Sequence, residues 1–228
     1  MKHVLVVSGG EANIDFIRDY IRTLSFDKVF AVDKGLEVLY KLDIVPDIII
    51  GDFDSADSSI LEIYDRKISS KLLDTVKLSH PVMKDESDTE LAIDKAVSDG
   101  AQKITIIGAT GKRLDHALAN IGILIKLAAD NIECEIIDEY NRIRLIDSDY
   151  GINEMIIEAD EQFGKYISLI PIKECIKNVT LSGVLYPLDN ADVKWGSSLT
   201  VSNQITNKAA RIFVGDGAAL LIESRDSM

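Results

Sequence analysis

The stretch that decides the fold reads Ile104-Thr105-Ile106-Ile107-Gly108-Ala109-Thr110-Gly111-Lys112-Arg113-Leu114-Asp115-His116. A β-branched run ends at a glycine turn, and an apolar pattern at helical spacing then continues to Ala129. Strand, glycine turn and helix in that order aim backbone N–H groups and the positive end of a helix at an anion. Arg113 adds a planar guanidinium fork suited to phosphate oxygens. The loop is not a P-loop, because G-x-x-x-x-G-K-[S/T] is absent. It also lacks the three-glycine dinucleotide fingerprint, which excludes the usual nicotinamide enzyme. Taken alone, it reads equally as an ordinary strand–helix connection, with His116 a plain first-turn residue.

Outward from this loop, the first part of the chain alternates short β-branched runs with helical patterns. Strands are predicted at 4–8, 28–32, 48–50, 104–107 and 133–137. Helices are predicted at 13–24, from Gly35 through Tyr40, at 87–98 and at 114–129. That alternation predicts a Rossmann-like α/β unit, a parallel sheet with flanking helices. After about Arg142 the texture changes to short runs at 143–146, 155–157, 166–170, 179–181, 198–201, 210–214 and 218–222, separated by turn residues. That pattern predicts a C-terminal all-β sandwich or barrel. The expected division is 1–145 and 146–228.

A chain of 228 residues can bury a core without disulfides or a structural metal. Its two cysteines, Cys134 and Cys175, have no metal-ligand spacing and are expected to be inert core thiols in a reducing compartment. A net charge of −13 argues against a nucleic-acid partner, which needs clustered Lys and Arg. The apolar start, Val4 to Val7, is too short for a signal peptide or a membrane span. A cytoplasmic protein with no membrane partner is therefore expected.

In an open parallel sheet, ligands bind at the carboxyl ends of the strands. Acidic segments fall there. Gly51-Asp52-Phe53-Asp54-Ser55 follows the Ile48–Ile50 run, and its two carboxylates can converge on one hard cation such as magnesium. Asp, Ser and Gly are also plain turn residues, but an apolar run that launches both acids favours the metal. Asp85 and Asp88, three residues apart at a helix start, can complete that shell. Ser87 with Glu90 is meanwhile a capping box. Asp33 follows its own strand and is either a turn former or a ligand.

Together these segments resemble the thiamine pyrophosphokinase family. The resemblance rests on Ala31-Val32-Asp33-Lys34-Gly35, on Gly51–Ser55, on Asp85-Glu86-Ser87-Asp88 and on Gly108–His116, in that order. It extends to Gly183-Val184-Leu185-Tyr186-Pro187-Leu188, Trp195-Gly196 and Val201-Ser202-Asn203. Lys34 stands where the family often has glycine. The resemblance implies transfer of pyrophosphate from ATP to the hydroxyl of thiamine, with Mg2+ as cofactor. It assigns Asp52, Asp54 and Asp88 to the metal and Asp33, Lys84, Thr110, Arg113, Asp115 and His116 to ATP. Asp85 becomes the candidate proton acceptor, and Ser202 and Asn203 the thiamine contacts. It makes the first division an ATP/Mg-binding catalytic domain and the second a thiamine-binding domain, in a homodimer. Two alternatives stay open. One is a non-catalytic nucleotide or thiamine sensor. The other is a metal-dependent phosphoesterase, suggested by Asp115-His116 but weakened by a total of three histidines.

Overall fold

The computed structural model describes residues 1–54, 56–79 and 86–227. The chain divides into two compact units, Met1–Ile123 with Ile132–Glu139, and Leu124–Asn131 with Tyr140–Met228.

The first unit runs β1 (His3–Val7), α1 (Ile14–Arg22), β2 (Lys28–Val32), α2 (Gly35–Lys41), β3 (Ile48–Gly51), α3 (Ser58–Ser69), β4 (Val76–Ser79), α4 (Asp88–Ser98), β5 (Lys103–Ile107), α5 (Leu114–Ala129, counted with the second unit from Leu124 on) and β6 (Glu133–Ile137). Its strands lie in the order β4-β3-β2-β1-β5-β6, and every pair is parallel. Val4 to Val7 are wholly buried, as are Ile49, Ile50, Ile104 and Ile106. A parallel sheet covered on both faces needs such continuous apolar runs, which is why they were legible as strands. Helix starts follow from local chemistry. Asn13 accepts from the amides of Asp15 and Phe16, and Ser87 accepts from the amide of Glu90.

Two elements of this unit lie outside the expectations above. In α3 only Ile60 and Tyr64 are buried, so its apolar signal is thin. Strand β4 is the sheet edge, with both ends exposed and a Val-Lys-Leu-Ser sequence that carries little β signature.

The second unit contains β7 (Asn141–Asp147), a 3-10 turn (Ser148–Tyr150), β8 (Glu154–Glu158), β9 (Tyr166–Pro171), β10 (Cys175–Ser182), β11 (Leu188–Lys194), β12 (Ala209–Phe213) and β13 (Ala218–Ser224). Strand β13 pairs antiparallel with β7 and β9, and a four-stranded antiparallel sheet runs β11-β10-β12-β8. Alternate residues Ile167 and Leu169, and Ala219 and Leu221, share one core with Ile176, Val179, Val193 and Ile212 from the four-stranded sheet. The expected α/β plus all-β architecture is what the chain forms.

Two details differ. Residues 198–201 form turns, not a strand. Leu199 and Val201 are exposed there, and buried Thr200 donates its hydroxyl to the carbonyl of Leu169 at 2.5 Å. Strand β11 carries Leu-Asp-Asn-Ala-Asp-Val-Lys, too polar to read as a strand, and is held by pairing with β10. Both cysteines are free and only half-buried. Burial raises the pKa of the Cys134 thiol, which keeps it inert.

Candidate active site

Strand order reverses between β1 and β5, and the carboxyl ends of adjacent strands on either side of such a switch point part to form a crevice. A cleft of about 640 Å³ opens there. Its walls include Gly9 and Gly10 after β1, Asp33 and Lys34 after β2, Asp52 after β3, the start of α4, and Gly108 to Arg113 after β5. The two glycine turns touch. The amide of Gly10 donates to the carbonyl of Gly108 at 2.9 Å, and that of Ser8 to Ile107 at 2.8 Å. Gly108 has φ +70, and a Cβ on it would lie 2.4 Å from the carbonyl oxygen of Ser8. Only glycine lets the loop lie that close.

Asp33, Asp52 and Asp88 bring carboxylate oxygens within 4.8 Å of one another. Three separate elements deliver them: the end of β2, the end of β3 and the first turn of α4. Asp33 adopts φ 46, and its amide donates to Ile50 at 3.0 Å. A Cβ on Gly51 would come 2.0 Å from Asp33 Oδ1, so glycine at 51 makes the room that this carboxylate occupies. All three are half-buried, which leaves one side of the group open to a ligand. A set of hard, anionic oxygen donors with an open side fits magnesium shared with phosphate. Asp54 lies outside this trio. It is exposed, and its amide donates to Asp52 Oδ1 at 3.1 Å.

On the other wall, Arg113 and Asp115 form a two-point pair, Nη2–Oδ2 at 2.6 Å and Nε–Oδ1 at 3.3 Å. The Arg113 guanidinium holds the Asp115 carboxyl down at about 2, and the pair raises Arg113 in turn. Thr110 donates its hydroxyl to Asp138 Oδ2 at 2.8 Å. Arg113, Thr110 and His116 all line the cleft. Lys84 and Asp85, with Ser55, lie outside the described residues.

Ser202 and Asn203 belong to the second unit. Ser202 is exposed with φ 59, and its amide donates to Ser168 Oγ at 3.0 Å. Asn203 is only 4% exposed, and its carboxamide is committed to backbone. Oδ1 accepts from the amides of Tyr186 and Gln204, both at 3.0 Å, and Nδ2 donates to Tyr186 O at 2.8 Å.

Several cleft residues escaped the sequence reading. Ser8, Gly9 and Gly10 carried a signal, since glycines directly after a first strand at a switch point face the ligand. Asn120 did too: it stands four residues after His116 on α5, and its Nδ2 donates to Ala109 O at 2.8 Å, bracing the glycine loop. Lys112, paired with Glu11 at 2.7 Å, reads as any surface cation.

Fold and cleft together define an α/β protein with its ligand cleft at the switch point of a parallel sheet, followed by an antiparallel β unit. Residues 23–136 match the family model for the thiamin pyrophosphokinase catalytic domain, and 154–218 the one for the thiamin pyrophosphokinase vitamin B1 binding domain. A thiamine pyrophosphokinase of Bacillus subtilis (strain 168) is 35% identical over 227 residues, covering 99% of this chain and 100% of the relative. The crystal structure of thiamine pyrophosphokinase from Bacillus subtilis superposes with TM-score 0.83 at 32% identity, over 99% of this chain and 100% of that one. Thiamin pyrophosphokinase from Geobacillus thermodenitrificans gives TM-score 0.79 at 30% identity, over 99% and 98%. The chain belongs to the thiamine pyrophosphokinase family. It is an enzyme of that class, and neither the sensor nor the phosphoesterase alternative finds support.

Proposed function

We propose that the cleft binds ATP with Mg2+ and that the hydroxyl of thiamine attacks the β-phosphorus there. The new O–P bond forms as the bridge between the α- and β-phosphates breaks. Thiamine pyrophosphate and AMP leave, and the hydroxyl proton passes to a base. The observation that carries this reading is the convergence of Asp33, Asp52 and Asp88 in the same cleft as the Gly108–Arg113 turn.

Transfer of this kind asks the protein mainly for positioning and charge compensation. Asp33, Asp52 and Asp88 would hold magnesium, which when bound offsets phosphate charge. In this reading Asp33 takes the place that the sequence assignment gave to Asp54. Asp54, exposed in the same turn, adds negative charge at the rim. Arg113 clamps phosphate oxygens, and Asp115 holds the guanidinium in plane for it. Thr110, His116 and Lys84 complete the ATP contacts, and Asp85 accepts the proton.

Residues 1–145 serve as the ATP/Mg-binding catalytic domain and 146–228 as the thiamine-binding domain. The spans of the two family models support that division. Ser202 and Asn203 serve thiamine, Asn203 with the one carboxamide N–H left over from its backbone bonds. A homodimer is part of the same reading, supported by exposed Tyr186, Trp195, Leu199 and Val201 in the second unit. Cytoplasmic residence is the corresponding location. Among the described residues no helix is long and apolar enough to cross a membrane.

The test is product analysis with purified protein, ATP, thiamine and Mg2+. AMP and thiamine pyrophosphate should accumulate one to one. Release of ADP with thiamine monophosphate, or of AMP without thiamine, would overturn the assignment.

A further inference from the structure

We infer that Ser8 and Thr89 are a positioning pair that sets Asp88 against Asp33 and Asp52. Ser8 Oγ and Thr89 Oγ1 lie 3.0 Å apart, and the residues are 2% and 9% exposed. Ser8 is the first residue past β1. Its backbone is fixed from the β5 side, since its amide donates to Ile107 and its carbonyl abuts Gly108. That leaves its hydroxyl as the group that reaches α4. Thr89 is the second residue of α4, directly after Asp88.

The arrangement has a consequence for the acidic trio. Asp33 and Asp52 are carried by β2 and β3, which stand in sheet order beside β1. Asp88 arrives instead on the first turn of a helix, capped by Ser87 and so locally rigid. Where that turn sits relative to the sheet decides where its carboxylate sits relative to the other two. The Ser8–Thr89 bond ties the turn to β1 at that level. A buried hydroxyl that loses its partner keeps its desolvation cost, so removing either member relocates the turn or strands the other. Removing both lets the surfaces close with apolar groups.

The inference rests on the reading that the trio holds a cation, and the experiment separates the two. Mn2+ alone is titrated into the protein, with free Mn2+ followed by its electron paramagnetic resonance signal. Thermal midpoint and the KM for thiamine are read beside it. Thr89→Val and Ser8→Ala should each weaken Mn2+ binding by about tenfold, the scale of groups that orient metal ligands. Thiamine KM should not move. Thr89→Ser, which keeps the hydroxyl, should restore Mn2+ affinity, and the double variant Ser8→Ala/Thr89→Val should bind no worse than either single one. A fall in thermal midpoint with unchanged Mn2+ affinity in both single variants would make the pair merely structural and overturn the inference. Asp88→Asn is the control. If it weakens Mn2+ binding while the hydroxyl variants do not, this inference alone fails. If it leaves Mn2+ binding intact, the trio reading falls and the inference with it. Should Thr89→Val not fold, Ser8→Ala carries the test, because it removes one oxygen and adds no bulk.

Discussion

The carboxamide of Asn203 closes a ring with the backbone of Tyr186, accepting from its N–H at 3.0 Å and donating to its C=O at 2.8 Å. A third bond ties the same oxygen to the amide of Gln204. The side chain therefore acts as a strut between two loops of the β unit, one of which presents exposed Tyr186. Truncation to Asn203→Ala would take these partners from the part-buried backbone N–H and C=O of Tyr186, at roughly 0.5–1.5 kcal/mol for each hydrogen bond lost. The expected outcome is a lower unfolding midpoint in denaturant together with a raised thiamine KM. A raised KM at unchanged stability would show that the strut role is wrong.

The Arg113–Asp115 pair predicts a titration. A carboxyl held at about 2, against an ordinary 3.8, is ionised and paired at all pH values above the ordinary range. The pairing is lost only as pH falls toward 2. Both side chains are exposed, so removing the pair should leave thermal stability within error. NMR of the Asp115 carboxyl carbon should return the low midpoint in the wild type and the ordinary one in Arg113→Ala. The same variant should raise the KM for ATP by roughly tenfold or more, the scale of a lost charged hydrogen bond. A midpoint indifferent to Arg113 would remove the pair.

For the acidic group, Asp33→Asn and Asp88→Asn should each lower turnover by about 100-fold at limiting Mg2+, the upper end of what residues supporting a metal contribute. The loss should be partly recovered at high Mg2+. Asp54→Asn, outside the trio, should cost no more than either of them. Asp33→Asn with wild-type magnesium dependence would exclude Asp33 from the metal.

Glu223 is fully buried on β13, between Arg144 Nη2 at 2.7 Å and Arg142 Nη1 at 3.8 Å, and accepts from the amide of Phe163 at 2.9 Å. Glu223→Gln keeps the shape and removes the charge that both arginines face. Breaking a buried pair from one side costs about 3 kcal/mol or more. Urea unfolding should show that loss with thiamine KM little changed, and a loss under about 1 kcal/mol would contradict the burial argument.

If thiamine is held between copies of the chain, Asp52→Asn and Asn203→Ala proteins, each impaired alone at limiting thiamine, should complement on mixing. A shared site puts both lesions on one interface of the heterodimer and leaves the other whole. No recovered activity after confirmed subunit exchange would rule out the shared site.

Much of the fold was legible because its signals are local. Runs such as Val4 to Val7 and Ile48 to Ile50 read as buried strands, and α5 was bounded correctly from its apolar spacing. What escaped was polar. Strands β4 and β11 and helix α3 owe their form to neighbours that pair with or cover them, and a polar sequence at a sheet edge carries no such record.

By itself the sequence determined the fold class, the family and the glycine and acidic turns at the strand ends, because glycine turns, caps and hydrophobic period are written residue by residue. Only the tertiary structure decided which of the acids meet. Asp33, Asp52 and Asp88 lie far apart along the chain, and parallel strand register together with the packing of α4 on β1 brings their oxygens within 4.8 Å. The same holds for Asn203, whose three bonds to the backbone of Tyr186 and Gln204 no residue spacing announced. Convergence and prior commitment of polar atoms are properties of three-dimensional neighbours, and no spacing along a chain encodes them.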